Sequence, residues 1–494
     1  MSVPARPVPP EMRISFRAIA AYFAGVTLVA GRAGSSSPFS AAVLDSVLLV
    51  YLCGVVWAVA DPKGRLRALK LLSVFNAVYY GIVGLLLLAM EARADVFHPE
   101  RFGLLYRTSG DPIATLDRGL ALAIAAQIAL AVAFVIPGPA RPTRSLRSSR
   151  LADVVAWAER PSVLVSVALA YIVSRVWPQH LPLAIAHVIS AWGTLLEAVL
   201  AMRFVRWLRE RDHGGAKARP WVWIAGVIGM VALYTGWRGR LVELPVLLVI
   251  CTIADRDRVP LRWIALGSLA FGLFLIPWSI AYRSILWGGP DQGLTSRVAA
   301  AQAAFSRTAE MNPYERAVES LRFIAVRVGG QRIDELAGIA AQQTRLDGGS
   351  IWPFLAAPVP RALWPSKPQI SPQLNVIARE LGKGAPEDLQ TSMVWTQYTD
   401  LVLNYGIIGL VIGALILGFL ARWLNSAFLV TGRRTPATVG AFMLFFGPLW
   451  RENPVGLVYQ LEVQFLLMLL VVLLFVRVPR THVKKSSDGT VARA

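Results

Sequence analysis

Apolar segments of bilayer-spanning length recur along most of this chain, and no soluble fold accommodates them. A helix crossing a hydrocarbon core needs roughly 17–25 apolar residues. Segments of this kind fall at 14–31, 42–60, 68–90, 118–137, 162–178, 182–205, 220–236, 241–255, 261–280, 396–421, 437–450 and 455–477. The eleventh is short and the eighth is tightly joined to the seventh, so the pattern predicts ten to twelve spans. Composition agrees: 55% of residues are hydrophobic and only 16% charged, too little charge to cover a soluble surface of this size. The expected fold is an all-α polytopic membrane protein with about 12 transmembrane helices and one large helical extracytoplasmic loop between spans 9 and 10.

The net charge of +20 does not point to nucleic acid, because the basic residues gather in short loops between spans. Arg141, Arg144, Arg147, Arg150 and Arg160 lie between spans four and five, and Arg206, Arg209, Arg211, Lys217 and Arg219 between spans six and seven. Arg433 and Arg434 follow span ten, and Lys63, Arg65 and Arg67 follow span two. With twelve spans all these loops share one side, which the positive-inside rule makes the cytoplasm. Both termini are then cytoplasmic. Residues 1–280 form spans one to nine, 281–395 an outer loop, 396–477 the last three spans and 478–494 a disordered cytoplasmic tail. A smaller outer loop covers about 91–117. The N-terminus, Pro-rich and basic to Arg13, lacks a clear cleavage site and reads as leading into a retained first span. Cys53 and Cys251 both fall inside spans, which argues against a disulfide, and no His, Cys or carboxylate cluster has metal-ligand spacing. No metal and no cofactor are expected.

The large loop carries its own folding signals. Asn312-Pro313-Tyr314-Glu315 predicts a helix start with Asn as N-cap, Pro at the first position and Glu at the third. Tyr314, Val318, Leu321 and Ala325 then share one face, with Glu315, Glu319 and Arg322 opposite and Gly329-Gly330 as the stop. Ser371-Pro372 opens a second short helix. The stretch from Trp352 to Pro368, rich in Pro and aromatics, predicts an irregular segment dipping toward the bilayer.

The candidate chemistry gathers at the outer face. Arg238 and Arg240 sit in the turn Gly236-Trp237-Arg238-Gly239-Arg240, and Arg283 follows span nine. Arg322, Arg327, Arg332, Arg361 and Lys367 lie in the loop, and Arg451 at the last outer turn. A guanidinium holds phosphate oxygens bidentately and keeps its charge, which suits a lipid pyrophosphate handled without metal. The alternative is solvated or helix-pairing arginine. Glu243, one turn after Arg240, is the preferred base for an acceptor hydroxyl; Asp334, Glu335, Asp400 and Glu452 also fit helix-end or ion-pair roles. Tyr398 opens span ten beside Asp400. Trp352, Trp364 and Trp395 could stack on sugar or anchor the loop at the interface. On span six, Glu197 lies at membrane depth together with His187, either as part of a transport path or as structural glue, and Arg203 or a neighbouring helix could pair with it.

The string Pro360-Arg361-Ala362-Leu363-Trp364-Pro365-Ser366-Lys367-Pro368, followed by Asn375, Thr391-Ser392 and Leu403-Asn404-Tyr405-Gly406-Ile407-Ile408-Gly409, resembles the Wzy-type oligosaccharide repeat-unit polymerases. In that family a Pro-Arg-x-x-x-Pro-x-Lys-Pro segment precedes a span opening Asn-[Tyr/Phe]-Gly-x-x-Gly. The close match covers about 360–413, and Gly406, Gly409 and Gly413 also suit plain helix packing. The resemblance implies a multi-spanning glycosyltransferase of the bacterial cytoplasmic (inner) membrane. It would transfer a glycan from undecaprenyl pyrophosphate to a new lipid-linked unit. On that reading Arg238, Arg240 and Arg361 hold pyrophosphate, with Arg283, Arg327, Arg332, Lys367, Trp364 and Tyr398 completing the substrate site and Glu243 as base. Partners would be the undecaprenyl-pyrophosphate-linked oligosaccharide and the bilayer, with a chain-length regulator and a flippase as further candidates. Three rival readings are an O-antigen ligase with the same donor, a lipid-linked oligosaccharide flippase and an envelope scaffold.

Overall fold

The computed structural model describes residues 16–59, 61, 64–93, 112–136, 146–176, 183–212, 220–235, 238–287, 293–325, 333, 336–337, 339–340, 364, 396–430 and 434–451. Among these the protein is all-α, with no strand. In chain order the helices are α1 (Phe16–Ala33), α2 (Pro38–Ala58), α3 (Arg67–Ala92, with a π segment at Ala77–Ile82), α4 (Pro112–Val135), α5 (Leu146–Ala158), α6 (Pro161–Val176) and α7 (Leu183–Asp212). They continue as α8 (Pro220–Thr235), α9 (Arg238–Arg256), α10 (261–287, with a π segment at Phe271–Leu275), α11 (Leu294–Glu310), α12 (Pro313–Ile324), α13 (Gln397–Phe428) and α14 (Pro436–Arg451).

A helix occupies each of the first eleven apolar segments. The twelfth, at 455–477, and the tail lie outside the described residues. Length and apolarity alone qualify five helices to cross a membrane: α2, α3, α4, Ile264–Leu286 within α10, and α13. A sixth follows if Ala152–Ala158 of α5 and α6, bent by 92°, form one broken span. Phe23–Ala33, Pro220–Thr235 and Pro436–Phe446 are apolar but shorter.

The core lies between α2, α3, α4, α7, α13 and α14. Small residues set the spacing. A Cβ on Gly418 of α13 would stand 2.6 Å from the Ala133 Cβ of α4, and one on Gly440 of α14 would stand 2.6 Å from the Ala198 carbonyl of α7. Without a hydrophobic drive between helices in lipid, such close backbone approach supplies the packing energy.

Charged residues mark the two ends of the bundle. At one end Arg67 donates to the carbonyls of Ala254 (2.5 Å) and Asp255 (3.2 Å), and Lys70 pairs with Asp257 at 3.0 Å. Asp255 accepts Arg209 at 2.6 Å and faces Arg434 at 3.4 Å; Arg256 pairs with Asp212 at 2.6 Å. Asn425 reaches the Gly64 carbonyl at 2.9 Å, Arg422 the carbonyls of Ala133 and Ile136, and Arg206 the Glu159 carboxylate at 2.7 Å. The chain thus returns to one end after α2, α4, α7, α9 and α13. Helices alternate in direction, and basic residues far apart in sequence converge. At the other end Arg32 bridges Asp45 and Asp117, each at 2.9 Å.

The loop between α10 and α13 meets this second end. The capping box forms as the sequence predicts: Glu315 N–H donates to Asn312 at 2.8 Å and Asn312 N–H to the Glu315 carboxylate at 3.0 Å. The packed face of α12 matches expectation in part: Ala325 is fully buried and Val318 half-buried. Tyr314 and Leu321 are exposed, whereas Ser320 is buried and donates to the Gly272 carbonyl. That carbonyl belongs to the π segment of α10, where the helical hydrogen bonding is irregular and a main-chain acceptor becomes available to a hydroxyl. Arg316, one turn earlier, donates to the Met311 and Ala309 carbonyls and lies over the Phe274 ring. Further along, Ile333, Leu336 and Ile339 are fully buried in the main core, and the Ile333 carbonyl sits against Gly119 of α4.

Candidate functional site

Span ten was expected to be a continuous helix from 396. Instead α13 breaks at Gly406, whose φ of 67° and ψ of −158° belong to a region open essentially to glycine alone. Residues twelve apart in an unbroken helix are about 18 Å apart. Here a Cβ on Gly413 would overlap the Leu401 side chain, and one on Gly409 would stand 2.8 Å from the Leu401 carbonyl. The segment 397–405 (α13a) therefore doubles back along 407–428 (α13b). The part after Gly406 alone retains bilayer-spanning length.

The fold-back puts polar side chains inside the bundle. Tyr398, Thr399, Asp400 and Asn404 of α13a are all buried. The Tyr398 hydroxyl donates to Asn76 Oδ1 at 3.1 Å, and Asn76 Nδ2 donates to Gln127 Oε1 at 2.7 Å. Gln127 Nε2 in turn donates to the Ser73 hydroxyl at 2.9 Å. The Tyr80 ring stacks on Tyr398 with centroids 5.6 Å apart. Asn404 donates back to the Asp400 carbonyl at 2.7 Å, and Thr396 caps α13a by accepting from Thr399 N–H at 3.3 Å. Asn76 lies nine residues into α3 from the charged end, which puts Tyr398 roughly 13 Å inside the bundle. Polar groups at that depth are costly unless satisfied, and this chain of donors and acceptors links Tyr398, Asn76, Gln127 and Ser73 to one another.

The sequence-predicted residues are distributed unevenly about this seam. Tyr398, expected at an outer mouth, is an interior residue, because the fold-back carries the start of α13 down between α3 and α4. Arg238 and Arg240 are not in a turn: α9 begins at Arg238, so both occupy its first turn, with Glu243 one turn on. Their side chains lie outside the described residues. Arg283 is half-buried on α10. Close by, Arg297 of α11 donates to the Tyr234 carbonyl at the end of α8 and covers the Tyr234 ring at 4.8 Å, which brings α11 against the helix end just before Arg238. Trp364 is exposed. Arg327, Arg332, Arg361 and Lys367 lie outside the described residues, as do the glycine stop at 329–330 and the second loop helix. Arg203, considered as a partner for Glu197, turns to Glu159 at 3.2 Å, because the α5–α6 bend puts that carboxylate over α7.

Sequence reasoning missed the seam partners Ser73, Asn76 and Gln127. Their signal was available: three amide or hydroxyl side chains within otherwise apolar segments. No group of three or more potential metal ligands occurs among the described residues. Comparison with family models, with curated proteins and with solved structures finds no match.

Proposed function

We propose that this protein is a metal-independent membrane glycosyltransferase that polymerises undecaprenyl-pyrophosphate-linked oligosaccharide repeat units at the outer face of the bacterial cytoplasmic membrane. The supporting observation is the fold-back at Gly406. The glycine of the Asn404-Tyr405-Gly406-Ile407-Ile408-Gly409 string is the residue at which the chain leaving the large loop re-emerges from a polar interior. A loop tethered that deeply can position substrate against helices, and irregular backbone at membrane depth is tolerated only where protein or a cavity surrounds it.

In this reading twelve spans place both termini in the cytoplasm and the 281–395 loop outside. The acceptor hydroxyl attacks the anomeric carbon of the donor glycan, and the bond to pyrophosphate breaks. Glu243 takes the hydroxyl proton. Arg238 and Arg240, on the first turn of α9, add their charge to the positive end of the helix dipole, an unfavourable placement that an anion relieves. With Arg361 they stabilise the departing pyrophosphate, with Arg283, Arg327, Arg332 and Lys367 around them, and alignment of two bulky substrates supplies much of the rest. Incubating the purified protein with lipid-linked repeat units and no divalent metal tests this. The expected products are a ladder of longer glycans and free undecaprenyl pyrophosphate, with Arg240→Ala and Glu243→Gln each losing at least about tenfold in rate. Unchanged units with wild-type protein would count against the reaction.

One observation favours a second reading. A broken helix and a polar seam at mid-depth also suit a transporter, whose substrate sites commonly lie at discontinuous helices. A lipid-linked oligosaccharide flippase would move repeat units across proteoliposomes without lengthening them.

A further inference from the structure

A cavity of about 1200 Å³ opens at the charged end of the bundle, opposite the proposed transfer site, between α7, α8, α9 and the start of α14. Among the described residues its walls carry Arg67, Arg209, Arg211, Arg256, Arg258 and Arg434 against two carboxylates, Asp212 and Asp255. Those carboxylates are already engaged: Asp255 by Arg209 and Arg434, and Asp212 by Arg256. Arg211 and Arg258 therefore form no ion pair among the described residues, and Arg67 makes its hydrogen bonds to the main-chain carbonyls of Ala254 and Asp255. Arg67 is only 6% exposed, yet its Nε has no hydrogen-bond partner among the described residues. The Nη1 of Arg434 is in the same condition, while its Nε faces Asp255 at 3.4 Å. Buried guanidinium donors left unmet favour an anion that accepts several hydrogen bonds at once, and phosphate has the matching geometry.

The remaining wall is of the opposite character. Phe204, Trp207, Trp221 and Leu248 line it, with the Trp221 ring edge-on to Phe204 at 5.1 Å and Arg211 stacked over Trp207 at 5.1 Å. A soluble anion has no use for that apolar wall, whereas an amphiphile does. Cationic pockets between membrane helices on the basic side of a protein are where anionic headgroups settle.

We propose that this cavity binds an anionic phosphate-bearing amphiphile, its phosphate among Arg67, Arg258 and Arg434 and its chains along Phe204, Trp207 and Trp221. The site is separate from the transfer reaction and stands or falls without it. The test uses the full-length chain in neutral detergent. Thermal unfolding is followed during titration with phosphatidylglycerol, with phosphatidylcholine and with inorganic phosphate, and retained lipid is counted by native mass spectrometry. The variants are Arg258→Gln, Arg434→Gln and, as a control, Arg206→Gln, which removes the same charge from α7 away from the cavity. The expected result is saturable stabilisation by phosphatidylglycerol over phosphatidylcholine, weakened at least about tenfold by Arg258→Gln or Arg434→Gln and unchanged by Arg206→Gln. Equal protection by inorganic phosphate, lost in the same variants, would keep the phosphate site but overturn the amphiphile. The proposal is overturned outright if the two lipids stabilise alike, or if Arg206→Gln matches the cavity variants. Should a variant fail to fold, retained lipid on the wild-type protein still decides: phosphatidylcholine bound as often as phosphatidylglycerol overturns it.

Discussion

Gly406→Ala is the substitution on which the fold-back can be judged. The backbone at Gly406 has φ 67° and ψ −158°, where a Cβ costs about 1–3 kcal/mol. Straightening α13 would escape that strain, but it would withdraw Tyr398 from Asn76 and pull Leu401 and Leu403 out of the core. Two buried leucines are worth about 3–6 kcal/mol by transfer alone, so the fold-back wins and the strain appears as lost stability. An ordinary helical glycine behaves in the opposite way. Gly226 of α8 has open space where a Cβ would go, so Gly226→Ala should be neutral or stabilising by up to about 1 kcal/mol. Thermal unfolding of the purified protein in one detergent, read by intrinsic fluorescence, compares the pair. Gly406→Ala is expected to melt below wild type and Gly226→Ala at or above it. If Gly406→Ala melted as high as Gly226→Ala, α13 would be continuous through 406 and the reasoning would fail. A crosslink gives an independent reading. With Cys53 and Cys251 replaced by Ser, cysteines at 401 and 413 should oxidise to a disulfide, which an unbroken helix separating them by about 18 Å forbids.

Other outcomes follow from the same geometry. Tyr398→Phe leaves Asn76 with Gln127 as partner, so it should cost only about 1 kcal/mol, whereas Asn76→Leu strands the Tyr398 hydroxyl and Gln127 Oε1, with Gln127 Nε2 keeping Ser73, and should cost about 2–4; chemical or thermal melts rank the two. Asp255→Asn weakens the pairings of two arginines at a carboxylate only 5% exposed and should lower the melting temperature clearly more than Arg206→Gln, whose half-exposed ion pair is worth about 0–1 kcal/mol. Gly418→Val forces a branched side chain into the backbone of α4 and should reduce folded yield in membranes, while the same change at Gly267, where space is open, should not.

The helices were legible in the sequence because apolar length is a local property, and so was the Asn312–Glu315 cap, which four consecutive residues determine. The break at Gly406 was not. Gly406, Gly409 and Gly413 carry the spacing of a close-packed helix face, and nothing in that spacing separates a glycine needed for positive φ from one needed for its small size. The structure divides the roles: Gly406 turns the chain, and Gly409 and Gly413 receive the segment that returns. In the sequence the basic loops mark one membrane side and nothing more. Arg67, Arg209 and Arg434 gather at one end of the bundle around Asp255 at the end of α9, whose carbonyl takes Arg67 and whose carboxylate takes Arg209 and faces Arg434, partners that no local sequence pattern reveals. The apolar face assigned to α12 holds at Ala325 but not at Leu321, since its neighbour is a π segment that presents a carbonyl and draws in Ser320 instead.

The most direct test of the proposed function is the length distribution of surface glycan in the producing cell. The gene is deleted and restored as wild type, Arg240→Ala or Arg361→Ala at matched membrane levels, and the extracted glycan is resolved on a gel. The account predicts a collapse from a ladder to a single repeat unit in the deletion, a ladder restored by wild type, and collapse again with either arginine variant. A normal ladder in the deletion strain would contradict it. So would loss of all surface glycan with repeat units held on lipid inside the cell, which is the signature of a flippase.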